Sequence, residues 1–250
     1  MQLEQRGDMI ADLIQRYNAG LGIEQTNKEA RAVFAHMNPD ELIQLEEYLS
    51  SKHIDIKDFH DLYQIHREDL HTELSRFRLS LDPEHPLRVM LEEHEQILQT
   101  LDALDKLNTT IQSSSTPDRE VLVRLREVAD NLLAAEHHHA REEEVIFPEL
   151  TKNNIGGIVQ VMNMEHEELR EKKRELKELV SQALLLDFTE FQQELQELAK
   201  FIIYNLTDHI YKENHILYPA AMRFVKDKEL WNQLKEKCDE IGYCNFKTLQ

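Results

Sequence analysis

Cysteine, glycine and proline are all scarce in this chain: of its 250 residues two are Cys, six Gly and six Pro. Two thiols in a chain of this length rule out a disulfide-stapled scaffold. The Cys238-x5-Cys244 spacing matches no familiar zinc or redox motif, which leaves a pair of ordinary reduced thiols. The shortage of Gly and Pro argues against a turn-rich sheet architecture. With Leu, Glu, Lys and Gln dominant and 31% of residues charged, the composition favours long helices. Positive charge is also in deficit, with 29 Lys and Arg against 48 Asp and Glu, a formal net charge of −19. No basic surplus exists to neutralise phosphates, which counts against nucleic acid and anionic membranes as partners. No apolar run approaches membrane-spanning length. The opening Met1-Gln2-Leu3-Glu4-Gln5-Arg6 lacks the basic start and apolar core of a signal peptide, so a cytoplasmic protein is expected. Also missing are a Gly-rich phosphate loop and any Ser-His-Asp or Cys-His arrangement.

What is present is helical patterning in two parts. Residues 1–80 read as four short helices. Met9, Leu13 and Tyr17 mark one stripe and Ala30, Val33 and Phe34 another. Pro39-Asp40-Glu41 opens a third helix, and a fourth runs from about Lys57 through Leu79. Two prolines in Leu81-Asp82-Pro83-Glu84-His85-Pro86 break the pattern and set the boundary of this first domain. Four longer amphipathic stretches follow. The first carries Leu87, Leu91, Leu98, Leu101 and Leu104, with His94 in the same stripe. The second, with Thr116 as its cap and Pro117 as its first residue, runs unbroken from Leu125 to His138, Glu142 and Ile146. The third holds Val159, Met162, His166, Leu169, Leu176 and Val180. The fourth begins near Asp187-Phe188-Thr189-Glu190, a capping box, and continues to His209, Glu213 and Leu217.

Within these stretches lies a duplication. His138-x3-Glu142-x5-Pro148 recurs 71 residues later as His209-x3-Glu213-x5-Pro219, with Ile146-Phe147 and Leu217-Tyr218 before the prolines. Upstream of each copy stands Glu-His-Glu, at residues 93–95 and again at 165–167, 72 residues on. Every repeated histidine falls on an apolar helix face. In an up-down-up-down bundle His94 and His166 lie about 12–14 Å inside their helix starts at 1.5 Å per residue. His138/Glu142 and His209/Glu213 lie at a comparable depth from their helix ends, so the six side chains meet in one core layer.

Such a layer is suited to metal. Residues i and i+4 share a helix face, and each His-x3-Glu presents an imidazole and a carboxylate together. A carboxylate can bridge two cations while its neighbouring imidazole ligates one. The expected division is His94 and His138 on one ion, His166 and His209 on the other, with Glu142 and Glu213 bridging. A sulfur-free N/O set suits iron, manganese or zinc. Six unpaired polar groups in a bundle core would otherwise carry a heavy desolvation cost.

These motifs, in order, resemble the haemerythrin-like HHE cation-binding domain over about residues 84–225. The resemblance implies an all-α fold: an up-down four-helix bundle holding two iron ions, preceded by a small helical domain and followed by a C-terminal helical tail at 226–250. Residues 1–80 resemble an uncharacterised helical domain that precedes such bundles, through Leu62-Tyr63-Gln64-Ile65-His66 and His85-Pro86. Oxygen-carrying haemerythrins have His-x3-His on the third ligand helix; here it is His166-x3-Arg170, which turns the expectation from oxygen carriage toward sensing or redox chemistry. The resemblance implies a small ligand such as O2, NO or peroxide and a protein partner reached through the N-terminal domain. The competing readings are a redox enzyme or iron donor for damaged iron–sulfur clusters, and a metal-free interaction module.

Other residues take lesser roles. His137 and His139 flank His138 at about 100° to either side, which places them at the surface or beside the site. His85 lies half a turn out of phase with His94 on a continuous helix and reaches the metal layer only if the chain bends at Pro86. Tyr204, Tyr211 and Tyr218 are core residues or donors to a bound oxygen species. Of His60, His66 and His71, only His60 and His71 share a helix face, three turns apart, so they form no compact second site.

Overall fold

The computed structural model describes residues 3–20, 67–153, 155–247 and individual positions between 22 and 58. By its internal contacts the chain divides into two units, Met1–Ser80 with Lys212–Ala220 and Leu81–Tyr211 with Ala221–Gln250. Helix is the only regular secondary structure among the described residues.

In the first unit, α1 (Leu3–Asn18) buries Ile10, Leu13 and Ile14, while Met9 is 45% exposed. The buried stripe is therefore rotated from the expected Met9-Leu13-Tyr17 line, because two β-branched isoleucines one turn apart offer more apolar surface than Met and a half-exposed Tyr. A Cβ at Gly7 would overlap the Tyr48 ring, whose hydroxyl donates to Asp8 at 2.7 Å. Ala30, Val33, Leu45 and Leu49 are also buried. A further helix, α2, spans Arg67–Ser80. Phe34, the Pro39-Asp40-Glu41 start, Lys57, His60 and the Leu62–His66 stretch lie outside the described residues, as does the side chain of His71.

The second unit is a bundle of α3 (Pro86–Gln112), α4 (Arg119–Ala134), α7 (Gly156–Gln182) and α8 (Phe188–Lys212). Between α4 and α7 lie α5 (Glu136–Arg141), a π turn (Glu142–Ile146) and α6 (Phe147–Lys152). Helix starts follow capping chemistry. His85 Nδ1 accepts the Leu87 N–H at 3.2 Å, with Pro86 at the first helical position. Asp187 accepts from the N–H groups of Thr189 and Glu190. The expected start of α4 at Thr116-Pro117 is displaced: Asp118 is the cap, accepting from Glu120 at 2.8 Å and from Val121. A carboxylate there satisfies two orphan N–H groups and opposes the positive helix end, which a Thr hydroxyl does less well.

All four long helices give side chains to one core that includes Leu101, Leu104, Leu125, Leu132, Leu176 and Phe191. Amide ties join α3 to α8, with Asn108 donating to Gln196 at 2.8 Å and Gln192 to the Ile111 carbonyl at 2.7 Å. Lys177 on α7 pairs with Asp130 on α4. Burying an apolar stripe from each helix is what drives this packing, at about 25 cal/mol per Å².

The chain continues through a second π turn (Glu213–Leu217) to α9 (Tyr218–Phe224) and α10 (Lys228–Ile241). Helix α10 packs on α3 and α5. Its Trp231 ring sits 4.4 Å from the His85 ring, and the indole N–H donates to the Val225 carbonyl at 2.8 Å. Gly242, at φ 92°, takes the chain out of α10 in a conformation that glycine tolerates. Residues 243–247 then run as an extended strap. Asn131 exchanges two hydrogen bonds of 2.9 Å with the backbone of Lys247, and the Arg141 guanidinium lies 4.7 Å from the centre of the Tyr243 ring.

Candidate metal centre

The second amphipathic stretch is not the unbroken helix that the pattern predicted. The chain turns at Ala135, restarts for the six residues of α5, and widens into a π turn at Glu142. The π turn has a local cause. Pro148 has no N–H to give and its ring would collide with the carbonyl four residues back, so the ladder opens by one residue. Accordingly the Phe147 N–H reaches back five residues to the Glu142 carbonyl. The duplicate behaves identically, the Tyr218 N–H reaching the Glu213 carbonyl just before Pro219. The repeated Glu-x5-Pro spacing is therefore the signature of a π turn that begins on the repeated glutamate.

Five of the six sequence-predicted residues belong to the second unit and converge. His94, His138, His166, His209 and Glu142 are each at most 1% exposed. The Nε2 atoms of His94 and His138 stand 2.8 Å apart, with ring centres 4.5 Å apart. His166 and His209 repeat that ring spacing of 4.5 Å. Glu142 lies between the two pairs: its Oε2 is 3.6 Å from His138 Nε2 and 3.4 Å from His166 Nε2. Glu213 follows His209 by one turn on the same helical run and is 1% exposed. One ligand atom each from His94, His138 and Glu142 falls within 4.8 Å, and likewise from Glu142, His166 and His209.

The glutamates that precede the first and third histidines orient the second and fourth. Glu93 accepts from His138 Nδ1 at 2.9 Å, and Glu165 from His209 Nδ1 at 2.8 Å. His166 Nδ1 meets Glu143 at 2.7 Å. In each case the carboxylate claims Nδ1 and leaves Nε2 for the interior, the arrangement that raises the basicity of a metal-ligating imidazole and fixes its tautomer. Arg170, where a His-x3-His helix would carry its second imidazole, turns to Glu136 and to Glu143 at 2.7 Å. Arg141, fully buried, donates to Glu93 at 2.5 Å, and the other Glu93 oxygen accepts the Cys244 N–H at 3.0 Å.

These contacts set the protonation of the metal-free site. Burial opposes the Glu93 charge, but His138, Arg141 and the Cys244 N–H hold its carboxyl down at about 2. Burial likewise opposes a charge on His138, yet Glu142 and Glu93 raise it to about 9. His139 is driven well below the usual imidazole range by burial, with Lys173 and the neighbouring histidines adding to it.

Sequence reasoning placed His139 at the surface or beside the site. The structure buries it to 1%, whereas His137 is exposed. His85 caps α3 and faces Trp231, away from the ligand groups. The orienting Glu93, Glu165 and Glu143, with Arg141, were not singled out for these roles; Glu93 and Glu165 were nevertheless visible as letters of the repeat.

Residues 85–241 match the family described as Hemerythrin HHE cation binding domain. The chain belongs to that family. No curated protein matches the chain. The HHE match takes in α10 and so extends past the residue-225 limit read from the motifs. The donors also fit the group that the family implies, for the clusters hold only imidazole and carboxylate atoms and neither cysteine joins them. Two nitrogens 2.8 Å apart are spaced like adjacent ligands on one ion with metal–nitrogen bonds of about 2.1 Å. Among the described residues no helix is long and apolar enough to cross a membrane.

Proposed function

We propose that this HHE protein holds two metal ions, iron in the first instance, in the core of its bundle and uses them to bind or sense a small ligand such as O2, NO or peroxide. The single observation that carries the reading is the position of Glu142 Oε2, 3.6 Å from the imidazole of one pair and 3.4 Å from that of the other. A carboxylate there can bridge two ions. His94 and His138 would hold one, His166 and His209 the other. Glu213 would supply the second bridge, which its burial and its place one turn beyond His209 support. A bound iron pair with an open position supplies the small-ligand chemistry. The chain's own part is to orient the imidazoles through Glu93, Glu143 and Glu165 and to keep water out with a closed apolar core below. The helical N-terminal unit would pass the state of the site to a partner protein.

Anaerobic Fe(II) addition to the purified chain, with metal counting and spectroscopy before and after exposure to O2 or NO, tests this. Two irons per chain and a ligand-dependent spectrum without turnover are expected. A protein that stays near zero equivalents of iron would sink the reading, and steady consumption of peroxide or NO would make it an enzyme instead.

A further inference from the structure

The geometry points to His139 as a third imidazole on the ion held by His166 and His209, so that the two ions are ligated unequally. This inference rests on the two-metal reading above.

Its first support is place. The His139 ring stacks on His166 with centres 4.0 Å apart and planes 12° from parallel, and stands edge-on to His209 at 5.9 Å. One nitrogen from each of the three falls within 4.8 Å of the others. Ligand atoms on opposite sides of one ion are separated by about 4.2 Å, twice a metal–nitrogen bond of about 2.1 Å, so three such atoms can share an ion.

A second support is the unmet bonding of the ring. His139 is 1% exposed, and its buried Nδ1 has no hydrogen-bond partner. Buried polar atoms are nearly always satisfied, and one that is not needs a reason. The closest carboxylate, Glu136, stands 3.9 Å from Nδ1, just beyond bonding distance. It occupies the place that Glu93, Glu143 and Glu165 occupy against the other imidazoles. By that pattern Nε2 is the atom left for a metal, with Glu136 drawing in to Nδ1 when the ring is polarised.

The third support is the local chain. Successive residues of a helix point about 100° apart, and His138 and His139 would not normally both face a core. Here α5 is only six residues long, bounded by the turn at Ala135 and the π turn at Glu142. In that short piece His138 meets His94 while His139 meets His166. Arg170, one turn beyond His166, offers no imidazole and instead grips both Glu136 and Glu143, the carboxylates beside His139 and His166. The third helix has thus exchanged a ligand for an anchor, and the second helix supplies the ring.

The test compares the full chain with His139→Phe, His139→Gln and, as an exposed neighbour, His137→Ala. Stepwise Fe(II) affinities and Mössbauer spectra are read, with helix content checked by circular dichroism. Wild type should bind two irons in two distinct environments of equal intensity. Both His139 variants should bind the second iron at least tenfold more weakly and leave the first unchanged, with His137→Ala like wild type. Two irons of wild-type affinity in the folded His139 variants would overturn the assignment. So would a wild-type spectrum in which both irons are equivalent, a result that needs no variant to fold. A wild-type chain that takes up no iron would instead overturn the two-metal reading, and this one with it.

Discussion

Glu93 accepts the His138 Nδ1 proton with one oxygen and the backbone N–H of Cys244, 151 residues away in the chain, with the other. A single carboxylate thus orients a candidate ligand and anchors the strap, with Arg141 neutralising it in a buried setting. Glu93→Gln would leave that guanidinium without its anion. Loss of one partner from a buried pair costs about 3–5 kcal/mol, and loss of an orienting carboxylate costs about 10–100-fold in metal affinity. Urea denaturation and iron titration of the variant should show both effects, and wild-type values in either would refute the dual role.

Glu142→Ala removes the oxygen that stands between the two imidazole pairs. Paired-metal binding should be abolished, the chain retaining one ion or none. Metal counting on the purified variant checks this, and two tightly held ions would show that Glu142 is not a bridge.

Lys173 is 1% exposed, its Nζ has no hydrogen-bond partner, and burial drags its ammonium down to about 8. The unfolded chain therefore holds a proton more tightly than the folded one. That penalty is complete below pH 8 and fades as pH climbs through about 10.4, the ordinary lysine range. Lys173→Met should stabilise the protein by about 1–4 kcal/mol near pH 7, and the gain should shrink toward pH 10. A variant less stable than wild type at pH 7 would assign Lys173 a partner or a task.

Burial lowers His85 to about 4, although Asp82 opposes the shift. Its Nδ1 must stay unprotonated to accept the Leu87 N–H. Acid should therefore cost stability as pH falls from about 6.5, the unfolded imidazole value, to about 4. Trp231 is the sole tryptophan and lies against this ring. Its fluorescence should titrate with a midpoint near 4, and His85→Asn, which can still cap α3, should flatten the curve. An unchanged curve in that variant would assign the titration to another group.

The duplication made most of the site legible. Four histidines and two glutamates could be picked out because their spacing repeats, and helical periodicity set them at one depth. What could not be read was anything that depends on contacts between helices. Glu93 and Glu165 stand in the repeat, but their partners His138 and His209 are 45 and 44 residues away. His139 was hidden for a different reason. Placing it at the surface assumes an uninterrupted α-helix, and the break at Ala135 together with the π turn at Glu142 changes the phase there. The cap of α4 went to Asp118 over Thr116 because charge at a helix start outweighs hydroxyl propensity.

The paired π turns also constrain how this chain can change length. A π turn is one surplus residue lodged in an α-helix, so Glu142–Ile146 and Glu213–Leu217 act as phase shifters between a ligand and the proline that follows it. Deleting one residue in either interval would restore α geometry and rotate everything beyond by about 100°. The buried Phe147 and Leu150, or Tyr218 and Ala221, would swing out toward water. Substitutions in these intervals can drift, whereas insertions and deletions are barred. The five residues between each glutamate and its proline are a reading frame written in helix angle.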